Sequence, residues 1–326
     1  MPPAARRGRG PLLDHPDRGG GWCYVAVCTG HAGRDGMEGI VADIMDWMAD
    51  RANNALWPGS GLPAFDAPLV GFAAGADPLF AFLRDDIGPD FYWTPEAAFA
   101  DAFPDAPAPA EELSVIAWVL PQTAATREAH RQCRELPSLP WSQARHWGEK
   151  INEALRRFVV DRLAAQGVAA TAPVLSPRWG RALSPRYGFA SRWSERHTAH
   201  ACGLGTFGLS DGLITPAGKA VRVGSVVARA AYSPTPRPYA RHDAWCLRAT
   251  GVPCRACMKR CPVGAISEAG HDKSRCKDYI RGVTAPYVAA EQMSGIPVNS
   301  CGLCQVGVPC EHRDPTARKR EKAARE

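Results

Sequence analysis

The chain has no apolar run near the ~20 residues that a membrane-spanning helix needs. Its longest, Val115 to Leu120, stops at Pro121, so no membrane partner is expected. No apolar core of the ~7 to 15 residues typical of export signals follows the twin arginines Arg6 and Arg7. Gly-Arg-Gly-Pro-Leu-Leu-Asp stands there instead, and the protein is read as cytoplasmic. Internal repeats of solenoid length are absent as well. Excess charge of one sign is scarce in the body. Of the formal +6, four arginines against two aspartates lie in the first twenty residues, and six basic against three acidic residues lie in the last fourteen. What remains is close to neutral, so the usual electrostatic hint of a nucleic-acid partner is weak here.

Cysteine, by contrast, is abundant. Twelve occur in 326 residues, eight of them between Cys246 and Cys310. In a reducing compartment such a cluster points to metal and not to disulfides. With 45% hydrophobic residues the chain can build one large domain or two ordinary ones.

Helical spacing of Met37, Val41, Ile44 and Met48 predicts an amphipathic helix over 37–51. Residues 1–36 are glycine-rich without periodicity and read as a loose arm. Residues 58–112, rich in Pro, Ala and Gly, read as loops and short elements over a core. The run Leu113 to Leu120 predicts a fully buried strand. A helix over 143–166 would place Trp147, Ile151, Leu155, Val159 and Leu163 on one stripe, closed by Gly167. A strand near 168–174, a helix over 192–202 and a half-buried strand through Val221, Val223, Ser225 and Val227 complete a mixed α/β order. The sixteen residues after Cys310 are charged and offer no core.

The cysteine spacing is Cys254-Arg-Ala-Cys257-Met-Lys-Arg-Cys261-Pro262, then Cys276, then Cys301-Gly-Leu-Cys304 and Cys310. Thiolates at these intervals let a tight loop hold three corners of an iron–sulfur cube, while Cys-Pro gives its sulfur to a second cube. Two bacterial-type runs would have cysteines at 251 and 308, where Gly251 and Val308 stand; Cys246 and Cys310 are the nearby substitutes. The assignment is Cys246, Cys254, Cys257 and Cys310 on one 4Fe-4S cluster, and Cys261, Cys276, Cys301 and Cys304 on the other. Structural zinc is the alternative chemistry. Residues 241–281 carry nine basic and four acidic side chains, which either offset cluster charge or dock an acidic electron donor or nucleic acid.

Upstream lie Gly203-Leu204-Gly205-x-x-Gly208 and Gly212-Leu213-Ile214-Thr215-Pro216. They lack the preceding strand and following acidic residue of a dinucleotide fingerprint. With Glu195-Arg196, Val221-Arg-Val and Arg275-Cys276, and the cysteine runs beyond, residues 113–310 resemble the reductive dehalogenase and epoxyqueuosine reductase superfamily. The resemblance implies an α/β (α+β) fold, a nitroreductase-like cobalamin-binding domain over 37–238 followed by a ferredoxin-like domain over 239–312, with a flexible arm at 1–36 and a charged tail at 313–326. It implies cobalamin held base-off by residues 203–208 and 212–216; no Asp-x-His-x-x-Gly is present to put histidine on cobalt. Electrons would enter from an external donor (ferredoxin, flavodoxin or a reductase domain), cross the two clusters, and reduce cob(II)alamin to cob(I)alamin, the reductant of a small organic substrate.

The epoxyqueuosine reductases carry an aspartate six residues before Glu-Arg, where Phe189 stands here. Dehalogenases use a tyrosine with a basic neighbour, which implies Tyr187 with Arg186 or Arg192 as proton donor. His197 is a candidate substrate contact, as is His200; Cys202 reads as a small buried residue, and Cys23, Cys28 and Cys133 as ordinary thiols. An iron–sulfur electron-transfer protein and a tRNA-modifying enzyme are the alternatives, with tRNA the partner not expected.

Overall fold

A computed structural model describes residues 36–317, so the N-terminal arm and residues 318–326 lie outside the described residues. Helix α1 spans Gly36–Ala49 and buries Ile40, Ile44 and Met48, while Met37 and Val41 are half-buried. No helix among the described residues is long and apolar enough to cross a membrane.

The segment read as loops and short elements holds three of them: strand β1 (Leu69–Ala74), helix α2 (Pro78–Ile87) and helix α3 (Pro95–Ala102). Both helices start on a cap followed by proline. Asp77 accepts from Leu79 N and Thr94 from Ala97 N, satisfying amide groups that the first turn leaves open. The prolines that suggested loops are therefore helix starters.

Strand β2 (Ser114–Pro121) is buried throughout, as its apolar run predicts. Helix α4 (Ala124–Arg131) follows, then the 27-residue α5 (Leu139–Ala165), which begins before residue 143 because Pro140 sits in its first turn. Trp147 is half-buried, and the α5 face against the sheet uses Gly148, Ile151, Asn152, Leu155 and Val159. The strand expected over 168–174 shrinks to β3 (Ala170–Thr171) because Pro173 starts a short 3-10 turn. A hairpin of β4 (Arg181–Ser184) and β5 (Gly188–Ser191), helix α6 (Glu195–Ala201), a small hairpin of β6 (Thr206–Phe207) and β7 (Leu213–Ile214), and strand β8 (Val221–Ala228) complete this part.

The central sheet is antiparallel in the order β1-β2-β8-β3, with Phe72 opposite Ile116 and Trp118 opposite Gly224. Strand side chains alternate between faces, so β2 feeds two cores. Ile116, Trp118 and Leu120 pack with α1 and α5; Val115, Ala117 and Val119 pack with Phe80, Phe99, Ala199 and Leu204. Strand β8 was expected half-buried and is buried from Val223 onward, because it lies between β2 and β3 with a layer on each side. Buried Ser225 is satisfied there, its Oγ accepting from Trp193 Nε1 at 2.9 Å.

From residue 242 the chain wraps around the β6–β7 hairpin. Phe207 N donates to His242 O at 2.6 Å, and Trp245 N donates to Thr206 Oγ1 at 2.9 Å. Helix α7 (Ala256–Arg260), the hairpin β9 (Ile266–Ser267) and β10 (Gly270–His271), and helix α8 (Lys273–Tyr279) follow; α8 continues through wider π-type turns to Gln292. Buried Glu311 receives Arg131 Nη2 at 2.7 Å and Gly307 N at 2.7 Å, fastening this region to α4. Asp314 and Thr316 are also buried, with Thr316 N on Asp314 Oδ1 at 2.8 Å, so packing runs further into the expected tail than residue 313.

Candidate functional site

The eight C-terminal cysteines do not all open onto one cavity. Cys246, Cys254, Cys257 and Cys310 line one small cavity together with Gly208, Ile214 and Lys219. Cys276, at the first turns of α8, and Cys301 open instead onto a much larger cavity of about 830 Å³. Cys301 and Cys304 flank a bend in which Gly302 has φ of +68°, and Cys261 Sγ accepts from Ala265 N at 3.2 Å. Burial raises the free thiols, Cys276 to about 11, Cys301 to about 12 and Cys310 to about 11. On Cys301 the neighbouring Cys304, Cys276 and Cys261 push in the same direction; on Cys310 the Lys219 ammonium opposes burial while Cys246, Cys257 and Cys254 add to it. A metal centre would have to displace these protons. Four thiols around one cavity are the donor number of a four-iron cluster and of a structural zinc site alike.

A second large cavity, about 1000 Å³, adjoins the first. Trp179, Arg181, Phe189, Ser194, Arg196 and Asp211 line both. One wall of the first is an ionic lattice. Arg156, 1% exposed, clasps Glu195 and reaches Glu149 Oε1 at 3.3 Å, and Arg222 pairs with the other oxygen of Glu149. Glu195 Oε1 also accepts Ser225 N at 3.0 Å, so this carboxylate ties α5, α6 and β8 together. Arg196 donates to Asp211 O, leaving its remaining surface toward the cavities. Lys273 and Lys277 add cations above the ring of Phe189 at 5.8 and 5.3 Å.

Tyr187 lines the second cavity, and its hydroxyl donates to Asp86 on α2. Arg186 pairs with the same carboxylate and lies 5.3 Å from the Tyr187 ring. Burial, reinforced by Asp86, pushes the Tyr187 phenol up to about 12. Arg192 lines neither cavity; it lies against Trp93 and its backbone bonds Trp93 N and Gly180 O. The basic neighbours of Tyr187 are Arg186, in the β4–β5 turn, and Lys273, with Nζ 5.2 Å from the ring; β5 carries Arg192 away from them.

His197 faces the second cavity with Nδ1 2.8 Å from Ser194 Oγ, and burial together with the Arg196 charge lowers it to about 3. It is a neutral imidazole at neutral pH. His200 also reaches this cavity, with Nδ1 2.7 Å from Gly205 O. Cys202 is fully buried in the core and Cys133 is half-buried on α4's end; Cys23 and Cys28 lie outside the described residues.

Of the glycine-loop residues, Gly212 and Leu213 line the first large cavity, Gly208 the second, and Ile214 and Gly208 the small cysteine cavity. Gly203, Leu204, Gly205, Thr215 and Pro216 line none of these three. A Cβ on Gly205 would sit 2.3 Å from Ile214 O, so this glycine brings β6 against β7. The glycines that suggested a close cofactor approach serve partly to close the hairpin on itself.

Sequence reasoning missed Asp86, Lys273 and the pair Asp211–His271, with His271 Nδ1 3.0 Å from Asp211 Oδ2. A local signal existed only for Asp211, a non-glycine residue at φ +55° in the Gly208–Gly212 turn, where aspartate is among the tolerated types. The others meet through tertiary contact alone.

No family model and no curated protein matches the chain. Among solved structures it is similar to epoxyqueuosine reductase from Bacillus subtilis, at 15% identity over 75% of this chain and 62% of that one, TM-score 0.42. An epoxyqueuosine reductase solved with a modified tRNA stem loop aligns at 16% identity over 85% of this chain and 69% of that chain, TM-score 0.45. A catabolic reductive dehalogenase solved with 3-bromo-4-hydroxybenzoic acid aligns at 14% identity over 87% of this chain and 38% of that chain, TM-score 0.44.

Proposed function

We propose that the protein is a cobalamin- and iron–sulfur-dependent reductase acting on a small organic substrate, of the dehalogenating or deoxygenating type. The observation that carries this reading is that Cys276 and Cys301 share a cavity of about 830 Å³ with Gly212, Leu213 and Arg196, so a thiolate-held redox centre would border the volume in which a large cofactor could lie. When bound, the clusters would relay electrons and the corrinoid would supply a strongly reducing cobalt.

Cys246, Cys254, Cys257 and Cys310 would hold one cluster, and Cys261, Cys276, Cys301 and Cys304 the other. Gly212 and Leu213 give the first cavity smooth wall, and Gly208 the second. Arg181, Lys273 and Lys277 favour a cofactor or substrate bearing negative charge. Tyr187 Oη keeps its proton through the neutral range and gives it to Asp86 in a hydrogen bond, so Tyr187 would serve as the acid toward a reduced substrate carbon once the hydroxyl turns from Asp86 into the cavity. Leu83, Tyr92 and Phe207 give that end of the second cavity an apolar wall.

Anaerobic reconstitution tests the reading. About eight iron and eight sulfide per chain are expected for two four-iron cubes. Added cob(II)alamin should bind and give an electron paramagnetic resonance spectrum without nitrogen splitting from an axial ligand. Zinc without sulfide would sink the iron–sulfur half, and absence of corrinoid binding by the iron-loaded chain would favour the electron-transfer alternative.

A further inference from the structure

Lys219 is 3% exposed, and its Nζ donates to Ser210 Oγ at 3.1 Å; no carboxylate among the described residues forms an ion pair with it. It lines the small cavity of Cys246, Cys254, Cys257 and Cys310 and also the large cavity onto which Cys276 and Cys301 open. The cysteines on these two cavities come from both proposed sets.

Its position is built into the backbone. Lys219 N donates to Cys310 O at 2.9 Å and Ala220 N to Glu311 O at 3.2 Å. The preceding Gly218 has φ of +83°, and a Cβ there would lie 2.3 Å from Glu311 O. Only glycine allows the turn to cross residues 310–311 this closely. The lysine is thus delivered to the space between the two sets and held there.

An ammonium buried without a carboxylate is costly unless another negative group compensates it. Metal-bound thiolates of both sets are the groups placed to do so. Reducing a buried cluster adds a negative charge, and a fixed cation nearby in a low-dielectric setting favours the reduced form. We propose that Lys219 is a counter-charge shared by both clusters, raising the reduction potential of each. The proposal rests on the iron–sulfur reading of the eight cysteines.

Potentiometric titration followed by electron paramagnetic resonance tests it on chains reconstituted with iron(II) and sulfide, without cobalamin or substrate. In Lys219→Met and Lys219→Gln, the reduced-to-oxidised ratio of each cluster at fixed poise should fall about tenfold, a 59 mV drop for a one-electron couple. Lys219→Arg, which keeps the charge, should stay near the parent values. Unchanged potentials in the neutral variants would overturn the proposal, and a fall confined to one cluster would overturn the shared role. If both neutral variants fail to take up iron while Lys219→Arg succeeds, Lys219 serves assembly and the potential-setting role is rejected. A parent chain that takes up no iron and sulfide defeats the underlying reading, which separates that failure from the others.

Discussion

Arg156 holds Glu195 through two parallel hydrogen bonds, Nε to Oε1 at 2.9 Å and Nη2 to Oε2 at 2.7 Å, joining the middle of α5 to the first turn of α6. The fork geometry fixes both side chains and shapes the wall of the first large cavity. Removing one partner leaves the other charge buried. Arg156→Met should therefore destabilise the chain by about 3–5 kcal/mol in denaturant titrations, and adding Glu195→Gln should recover part of the loss.

The cysteine grouping predicts matched phenotypes. Cys254→Ser and Cys310→Ser should perturb the same cluster signal, and Cys276→Ser and Cys301→Ser the other. Each single variant should retain about half the iron of the parent, given four irons per cube. Mixed pairing of these signals in electron paramagnetic resonance would show that the groups are drawn wrongly.

Gly205→Ala should cost about 1–3 kcal/mol, because the new methyl meets the Ile214 carbonyl and not a ligand. The larger Gly205→Val should disturb the β6–β7 hairpin and the His242 and Trp245 bonds to it, so folding and cofactor uptake fall together. Thermal unfolding of the cofactor-free chain checks this, and an unchanged melting temperature would contradict the contact.

His197 is pulled by burial and by Arg196 from 6.5 to about 3, so the unfolded chain binds its proton more readily than the folded one. Stability then rises with pH across this window and is lost as pH falls from 6.5 toward 3. Urea titrations at several pH values should show a shallower acid decline for His197→Asn than for the parent.

Binding of tRNA should be weak and strongly salt-dependent, and should vanish when residues 318–326, with five basic and two acidic side chains, are removed. The cut falls after Ala317 because Asp314 and Thr316 are packed. Tight binding by the shortened chain in gel shifts, or conversion of epoxyqueuosine in tRNA, would favour the tRNA-modifying alternative.

Periodicity was enough to read a buried strand over 113–120, found at Ser114–Pro121, and the long helix, because each depends on local intervals along the chain. In 58–112 proline and glycine content showed short elements but not which ones. Asp77-Pro78 and Thr94-Pro95 are helix starts, a signal that composition alone hides. Burial of β8 required knowing that it lies between β2 and β3 with helices on both sides.

The candidate site divides in the same way. Cysteine identity and interval name the candidate metal donors, since thiolate chemistry is a property of the residue. Tertiary structure alone decided that Tyr187 meets Asp86 from α2, that Arg192 turns away to Trp93, and that Asp211 meets His271 across sixty residues of chain. It also placed Lys219 between the two sets, through a glycine turn crossing residues 310–311. Charge pairing and desolvation depend on distance in space, and separation along the chain does not encode that distance.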